Sequence, residues 1–293
     1  MIDKWWSERP SIKLSGLNPI SDGIEGRLGR SPDAVPRILL LGGTGEAAEL
    51  AAQLASRNDL EFISSFAGRV SCPKYPIGAV RVGGFGGIEG LISYLIMESI
   101  SVVIDATHPF SVGISRNSEV ACARLGLPLI ALVRPAWQKQ KNDLWHEVIT
   151  YADAAEFVNR KKGRVFLSIG RQEVGSFAAC NDAWFLIRAI EAPTGQLPRH
   201  HEILLQRGPF DLKEESQLLR DYSIDHIVSK NSGGSGTYTK IEAARLLGIP
   251  VVMVARPTKH TDLAVETVDQ VVSELTALLT RIVQDGKQRK EAR

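Results

Sequence analysis

The chain repeats itself. Four segments of its first half return, in the same order, in its second half. "RILLLGGTGEA" from Arg37 aligns with "RVFLSIGRQEV" from Arg164, which sets Gly43 over Gly170 (170 − 43 = 127) and Glu46 over Glu173. Gly83-Gly84-Phe85 lies over Gly208-Pro209-Phe210 (208 − 83 = 125). "SISVVIDATHP" lies over "YSIDHIVSKNS", Ile100 meeting Ile224 (224 − 100 = 124), and "GLPLIALVRP" from Gly126 over "GIPVVMVARP" from Gly248 (248 − 126 = 122). Offsets that drift slowly in one direction mark one structural unit present twice. A chain of 293 residues therefore divides into two domains of ordinary size.

Within each copy, short apolar runs alternate with stretches of helical period. The runs are "ILLL", "VVID" and "LIALV" in the first copy and "VFLSI", "HIVS" and "VVMVA" in the second. They are continuously apolar, as strands covered on both faces must be. Between them, "EAAELAAQLA", "IEGLISYLIM" and "KIEAARLL" carry helix spacing. This alternation predicts an α/β fold: two similar Rossmann-like domains, each with a doubly wound parallel sheet, facing each other across a cleft. We place the N-terminal domain at 36–160, mainly for the cofactor, and the C-terminal domain at 161–283, mainly for the substrate. Residues 1–35, rich in Gly, Pro, Ser and charge without a sustained period, read as a mobile extension. Ligands of such sheets bind outside the carboxyl ends of the strands, so the polar motifs that follow strands are the candidate sites.

The first of these motifs is a glycine turn. Gly43, Gly45 and Ala48 satisfy G-x-G-x-x-G/A, a spacing that allows a tight turn and close approach of backbone to a pyrophosphate. The helix that follows would offer free N–H groups to the phosphates. Glu46 brings negative charge to the same end, where its ordinary effect is to stabilise the first turn. The second strand, "EFISSFAGRV", carries Ser64, Ser65 and Arg69 and lacks the acid that holds the 2′-hydroxyl of NAD, which favours NADP. In the second copy the strand ends are basic: Arg171, Arg188, Arg207, Lys230 and Arg256. A glycine-lined wall opposite an arginine-rich wall suits a dinucleotide facing a polyanionic small molecule.

Several classes are disfavoured. A net charge of +2 with no long basic stripe argues against nucleic acid as the partner. No apolar run reaches membrane-spanning length, and the N-terminus lacks the apolar core of a secretory signal, so a cytoplasmic protein is expected. Its oligomeric state is not readable from the sequence, and a monomer is the expectation. Cys72, Cys122 and Cys180 form no C-x-x-C pair and read as buried free thiols. His146, His200, His201 and His226 show no ligand spacing, and no metal is expected. Neither G-x-S-x-G nor a P-loop occurs.

From about residue 37 to 257 the chain also resembles the precorrin-6A reductases of cobalamin biosynthesis. The matching pieces, in order, are "GGTGEA", "AGRV", "GGFGG", "DATHPF", "RPAW", "SIGRQE", "RGPF" and "SKNSGGSGTYTKI". "DATHPF" and "SKNSGG" together are specific, and the lone glycine turn is not. Gly45 is not a required glycine in that family, so the dinucleotide pattern is partly accidental, and the extension before Arg37 has no counterpart there. The resemblance implies NADPH-dependent reduction of precorrin-6A to precorrin-6B, with hydride going to a ring carbon and a proton to its neighbour. It implies that Gly43, Thr44, Gly45 and Glu46 lie along the cofactor, with Arg69 on its 2′-phosphate. Gly83, Gly84 and Phe85 would form a second turn against the cofactor, and Asp105 and Ala106 the strand end nearest the nicotinamide. Thr107, His108 and Lys230 are the candidate catalytic groups, with Thr107 and His108 able to orient substrate or relay a proton. Arg171, Arg207, Lys230, Asn231, Ser232 and Gly233 would hold the substrate and its carboxylates.

Two other classes fit a pair of facing nucleotide-type domains. One is a sugar-nucleotide glycosyltransferase, separated from a reductase by its lack of NADPH turnover. The other is a non-catalytic two-lobed protein that closes on an anionic ligand.

Overall fold

The computed structural model describes residues 35–68, 77–259, 261 and 263–291. The N-terminal extension up to residue 34, Arg69 and Cys72 lie outside the described residues.

The apolar runs become strands with almost no solvent contact. In the first half β1 (Arg37–Leu41), β2 (Glu61–Phe66), β3 (Ala79–Val82), β4 (Ile100–Asp105) and β5 (Leu129–Leu132) are joined by α1 (Gly45–Ala55), α2 (Gly87–Met97) and α3 (Val112–Leu125). Ile38, Leu40, Val102 and Ile104 face α1 on one side of the sheet, and Leu39, Leu41 and Val103 face α2 and α3 on the other. Burial on both faces explains why these runs show no period-2 alternation.

The second half repeats the plan with β6 (Trp145–Val148), α4 (Tyr151–Lys161), β7 (Gly163–Ser168), β8 (Ala183–Ala189), β9 (His200–Leu205), α5 (Leu212–Asp221), β10 (His226–Lys230), α6 (Thr239–Leu247) and β11 (Val251–Val254). The chain ends with β12 (Ala264–Val265) and α7 (Val268–Glu291). Every strand pairing among the described residues is parallel. Registers confirm the repeat: Leu41 pairs with Asp105 as Ser168 pairs with Ser229, offsets of 168 − 41 = 127 and 229 − 105 = 124.

The domain boundary differs from the one drawn at 160/161. The two six-stranded sheets run β12-β5-β4-β1-β2-β3 and β6-β11-β10-β7-β8-β9. Each sheet takes its sixth strand from across the repeat. β6 and α4, placed by sequence in the first domain, belong to the second sheet, where Val148, Ala154 and Val158 join its core. After β11 the chain returns to the first sheet, and Val268, Val271 and Leu275 of α7 pack there against α1. The halves are therefore linked by two crossings, at about residues 133–144 and 255–263. Both crossings run past the carboxyl ends of the strands, where the candidate sites lie.

Candidate functional site

The turn after β1 is fastened from one side and bare on the other. The Thr44 hydroxyl accepts from Ala47 N at 3.1 Å, capping α1, and donates to Ala106 O at 2.8 Å. One side chain thus joins the ends of β1 and β4. Apart from its chain neighbours and the local helix backbone, a methyl group placed on Gly43, Gly45, Gly83 or Gly84 would find no atom of the described residues within 4 Å. These glycines are not there to make room for the protein itself. Their exposed backbone suits a dinucleotide lying along the sheet edge.

Glu46 does not face open space. Both of its carboxylate oxygens accept from Arg134 Nη1, at 2.7 and 2.9 Å, and Arg134 Nε donates to Ser232 O at 2.8 Å. Arg134, on the first crossing, therefore ties α1 to the loop after β10.

Asp105 is likewise committed to the protein. Its carboxylate is buried and accepts from Thr107 N, Thr107 Oγ1, Ser115 Oγ (2.6 Å) and Lys259 Nζ (2.9 Å). Burial alone pushes its pKa up, but Lys259, Ser115 and Thr107 outweigh burial and hold it below the ordinary carboxylate value. Lys259 lies on the second crossing and is itself only 5% exposed in its side chain.

The loop that Asp105 anchors carries His108 into a cavity between the halves. His108, Phe110 and Ser111 line it from the first half; Gly170, Arg171, Glu173, Glu191 and Lys230 line it from the second. Burial first, then the charges of Lys230, Arg134, Arg256 and Lys259, pushes the His108 pKa down to about 3. The ring is neutral near pH 7. Its Nδ1 accepts from Phe110 N at 3.2 Å, which leaves the proton on Nε2. Opposite it, Arg171 Nη1 donates to Glu191 at 2.7 Å, and Lys230 Nζ stands 4.0 Å from Glu173 and 5.3 Å from the Phe110 ring centre.

The expected cationic wall is thus more mixed than the sequence suggested. Arg188 is buried in a two-pronged pair with Glu215 and stacks 3.7 Å over Phe210. Arg256 donates to the carbonyls of Asn231, Arg134 and Pro135. Arg207 is exposed and does not line the cavity. Asn231 clips Trp137, accepting from its N–H at 2.8 Å and donating to its carbonyl at 3.1 Å. Ser232 offers its carbonyl to Arg134, and a methyl on Gly233 would fall 2.0 Å from Pro135 O. The "SKNSGG" loop beyond Lys230 is therefore packed against the first crossing. The sequence reading did not single out Arg134, Glu191 and Lys259. The repeat itself pointed to Arg134, which aligns with Arg256 (256 − 134 = 122).

The Precorrin-6x reductase CbiJ/CobK family model matches residues 37–276. The chain belongs to this precorrin-6x reductase family. It is 48% identical over 239 residues to a protein named precorrin-6A reductase from Rhodococcus erythropolis, covering 82% of this chain and 96% of the relative. A precorrin-6A reductase from Mycobacterium tuberculosis (strain H37Rv) is 49% identical over 225 residues, covering 75% and 89%. The solved structure titled CobK precorrin-6A reductase superposes with a TM-score of 0.78 at 40% identity, covering 83% of this chain and 97% of that one. As a member of this reductase family the chain is an enzyme of the reductase class. Among the described residues no helix is long and apolar enough to cross a membrane.

Proposed function

We propose that this reductase converts precorrin-6A to precorrin-6B with NADPH, in cobalamin biosynthesis. The single observation that carries the reading is the cavity between the halves. One of its walls is a loop at the end of β4, next to the bare glycine turn after β1; the other bears Arg171 and Lys230. The dinucleotide lies along Gly43–Gly45 and Gly83–Gly84, and the carboxylates of the macrocycle face Arg171 and Lys230. Bound there, the nicotinamide supplies the hydride.

The chain's own groups position and exclude. Asp105, held by Lys259 and Ser115, fixes Thr107 and so the direction in which His108 enters the cavity. His108 acts as a neutral hydrogen-bond donor through Nε2. With its pKa pushed down to about 3 by burial and the surrounding cations, the ring enters the cavity uncharged, which suits orienting the substrate. Glu173 and Glu191 hold the two cations extended towards the cavity.

The test is oxidation of NADPH by the purified protein with precorrin-6A, followed as loss of reduced-nicotinamide absorbance. One equivalent of NADPH should be consumed per macrocycle, and none without it. Tight binding of both partners with no oxidation would overturn the reading.

A further inference from the structure

Resting on the cofactor reading above, we infer that Arg81 is the residue that selects the 2′-phosphate of the dinucleotide. β3 pairs with β2 so that Arg81 lies directly beside Ser65, near the carboxyl end of the second strand. In Rossmann-type sheets the adenosine ribose rests at that end, where an acid reads a 2′-hydroxyl and an arginine receives a 2′-phosphate. β2 ends here in Ser64, Ser65 and Phe66, with no acid.

The Arg81 guanidinium is held as a flat plate. It stacks 3.8 Å over the Phe85 ring centre, and its Nη1 and Nη2 donate to Gly83 O at 2.5 Å and Gly84 O at 2.8 Å. Nη1 also reaches Ser65 Oγ at 3.5 Å. A guanidinium has five N–H donors, and these contacts leave some unspent. Among the described residues no carboxylate pairs with it. The result is a fixed, half-buried cation whose neighbours are carbonyls and an aromatic face, beside glycines open to a ligand. Holding an arginine in place before the ligand arrives reduces what binding must order. The repeat supplies a control. At the matched position the second half has Gln206 (81 + 125 = 206), so this cation belongs to one half alone.

Calorimetric titration with NADPH, NADH, 2′,5′-ADP and 5′-ADP tests the assignment without turnover. Arg81→Gln should weaken NADPH and 2′,5′-ADP by about 10- to 100-fold, while NADH and 5′-ADP stay within about twofold. Arg81→Lys should recover part of the loss. Equal weakening of all four ligands would make Arg81 a brace for the 83–84 turn and overturn the inference. Unchanged NADPH binding would overturn it too, placing the phosphate on another group such as Arg69. A wild-type protein that binds 5′-ADP as tightly as 2′,5′-ADP would instead remove the NADPH reading itself.

Discussion

The two halves share a strand plan and differ at matched strand ends. After β1 the chain enters α1, eleven residues long, and the turn before it is open to solvent. After β7, its counterpart, the chain makes one 3-10 turn at Val174–Phe177. A methyl on Gly170 would meet Lys230 Nζ at 3.6 Å and Glu173 at 3.7 Å, where Gly43 meets nothing described within 4 Å. At the end of the fourth strand, Asp105 in the first half corresponds to Ser229 in the second. One copy keeps helix end and bare backbone, which suits phosphates; the other fills the same space with charged side chains, which suits carboxylates. On the proposed reading, one strand plan present twice serves two different ligands because the side chains at its matched strand ends differ.

The sharpest way to break this contrast is at Asp105. Lys259→Met leaves a buried carboxylate without its cation and should cost roughly 3–5 kcal/mol in chemical denaturation. The double variant Asp105→Ser, Lys259→Met gives position 105 the side chain of Ser229, leaves neither charge buried, and should recover most of that loss. The acid limb checks the same pair. The folded pKa of Asp105 lies below its unfolded value near 3.9, so its stabilisation is complete above that pH and is lost as pH falls through the folded value. A double variant no more stable than Lys259→Met would mean that Ser229 is no guide to this position.

Next in size is a pair of glycine substitutions. Gly233 has φ +66° and Gly83 φ +119°, so alanine is strained at both, but at Gly233 the new methyl would also fall 2.0 Å from Pro135 O. Gly233→Ala should cost about 3 kcal/mol or more, through strain plus overpacking. Gly83→Ala should cost about 1–2 kcal/mol and weaken dinucleotide binding measured by fluorescence. If Gly83→Ala melts as low as Gly233→Ala, the first-half loop is packed in solution and the contrast fails.

Much of this was legible in the chain, and the reason is locality. "ILLL" and "VVID" declare buried strands, and "EAAELAAQLA" a helix, because period and burial are properties of neighbouring residues. The exchange of sixth strands was not. β6 is the four residues "WHEV" and β12 the two residues "AV", too short to show a period, and their partners lie 106 and 133 residues away (251 − 145 and 264 − 131). The basic residues at the second-half strand ends were visible, but not which of them already had partners. Arg188 meets Glu215 and Lys259 meets Asp105 only once the chain is folded. His108 was named from its motif, whereas its neutrality follows from burial and four surrounding cations brought in from both crossings and β10.

That neutrality gives the third test. A histidine whose folded pKa is about 3, against about 6.5 unfolded, costs stability as pH falls below 6.5, because only the unfolded chain takes the proton. His108→Gln removes this penalty. Its stability relative to wild type should improve between pH 6.5 and pH 4, by about 2 kcal/mol at pH 5. The window lies above the acid loss due to Asp105. A wild-type curve parallel to that of His108→Gln would mean a histidine that titrates normally.

The smallest effect divides the halves most directly by ligand. Glu46 and Glu173 occupy matched positions, and each sits beside a cation, Arg134 at 2.7 Å and Lys230 at 4.0 Å. Their glutamine variants should change stability by no more than about 1 kcal/mol, because all four side chains retain some solvent contact. Glu46→Gln removes negative charge from the first turn of α1 and leaves Arg134 uncompensated. Dinucleotide affinity should rise about two- to fivefold, with the substrate KM unchanged. Glu173→Gln removes the acid nearest Lys230, so the KM for the polycarboxylate substrate should fall by a similar factor while dinucleotide affinity holds. Both shifts should shrink as salt is raised, since the groups are partly exposed. A Glu173→Gln variant that alters the dinucleotide and spares the substrate would reverse the assignment, because the effect would then follow the half that was proposed to hold the other ligand.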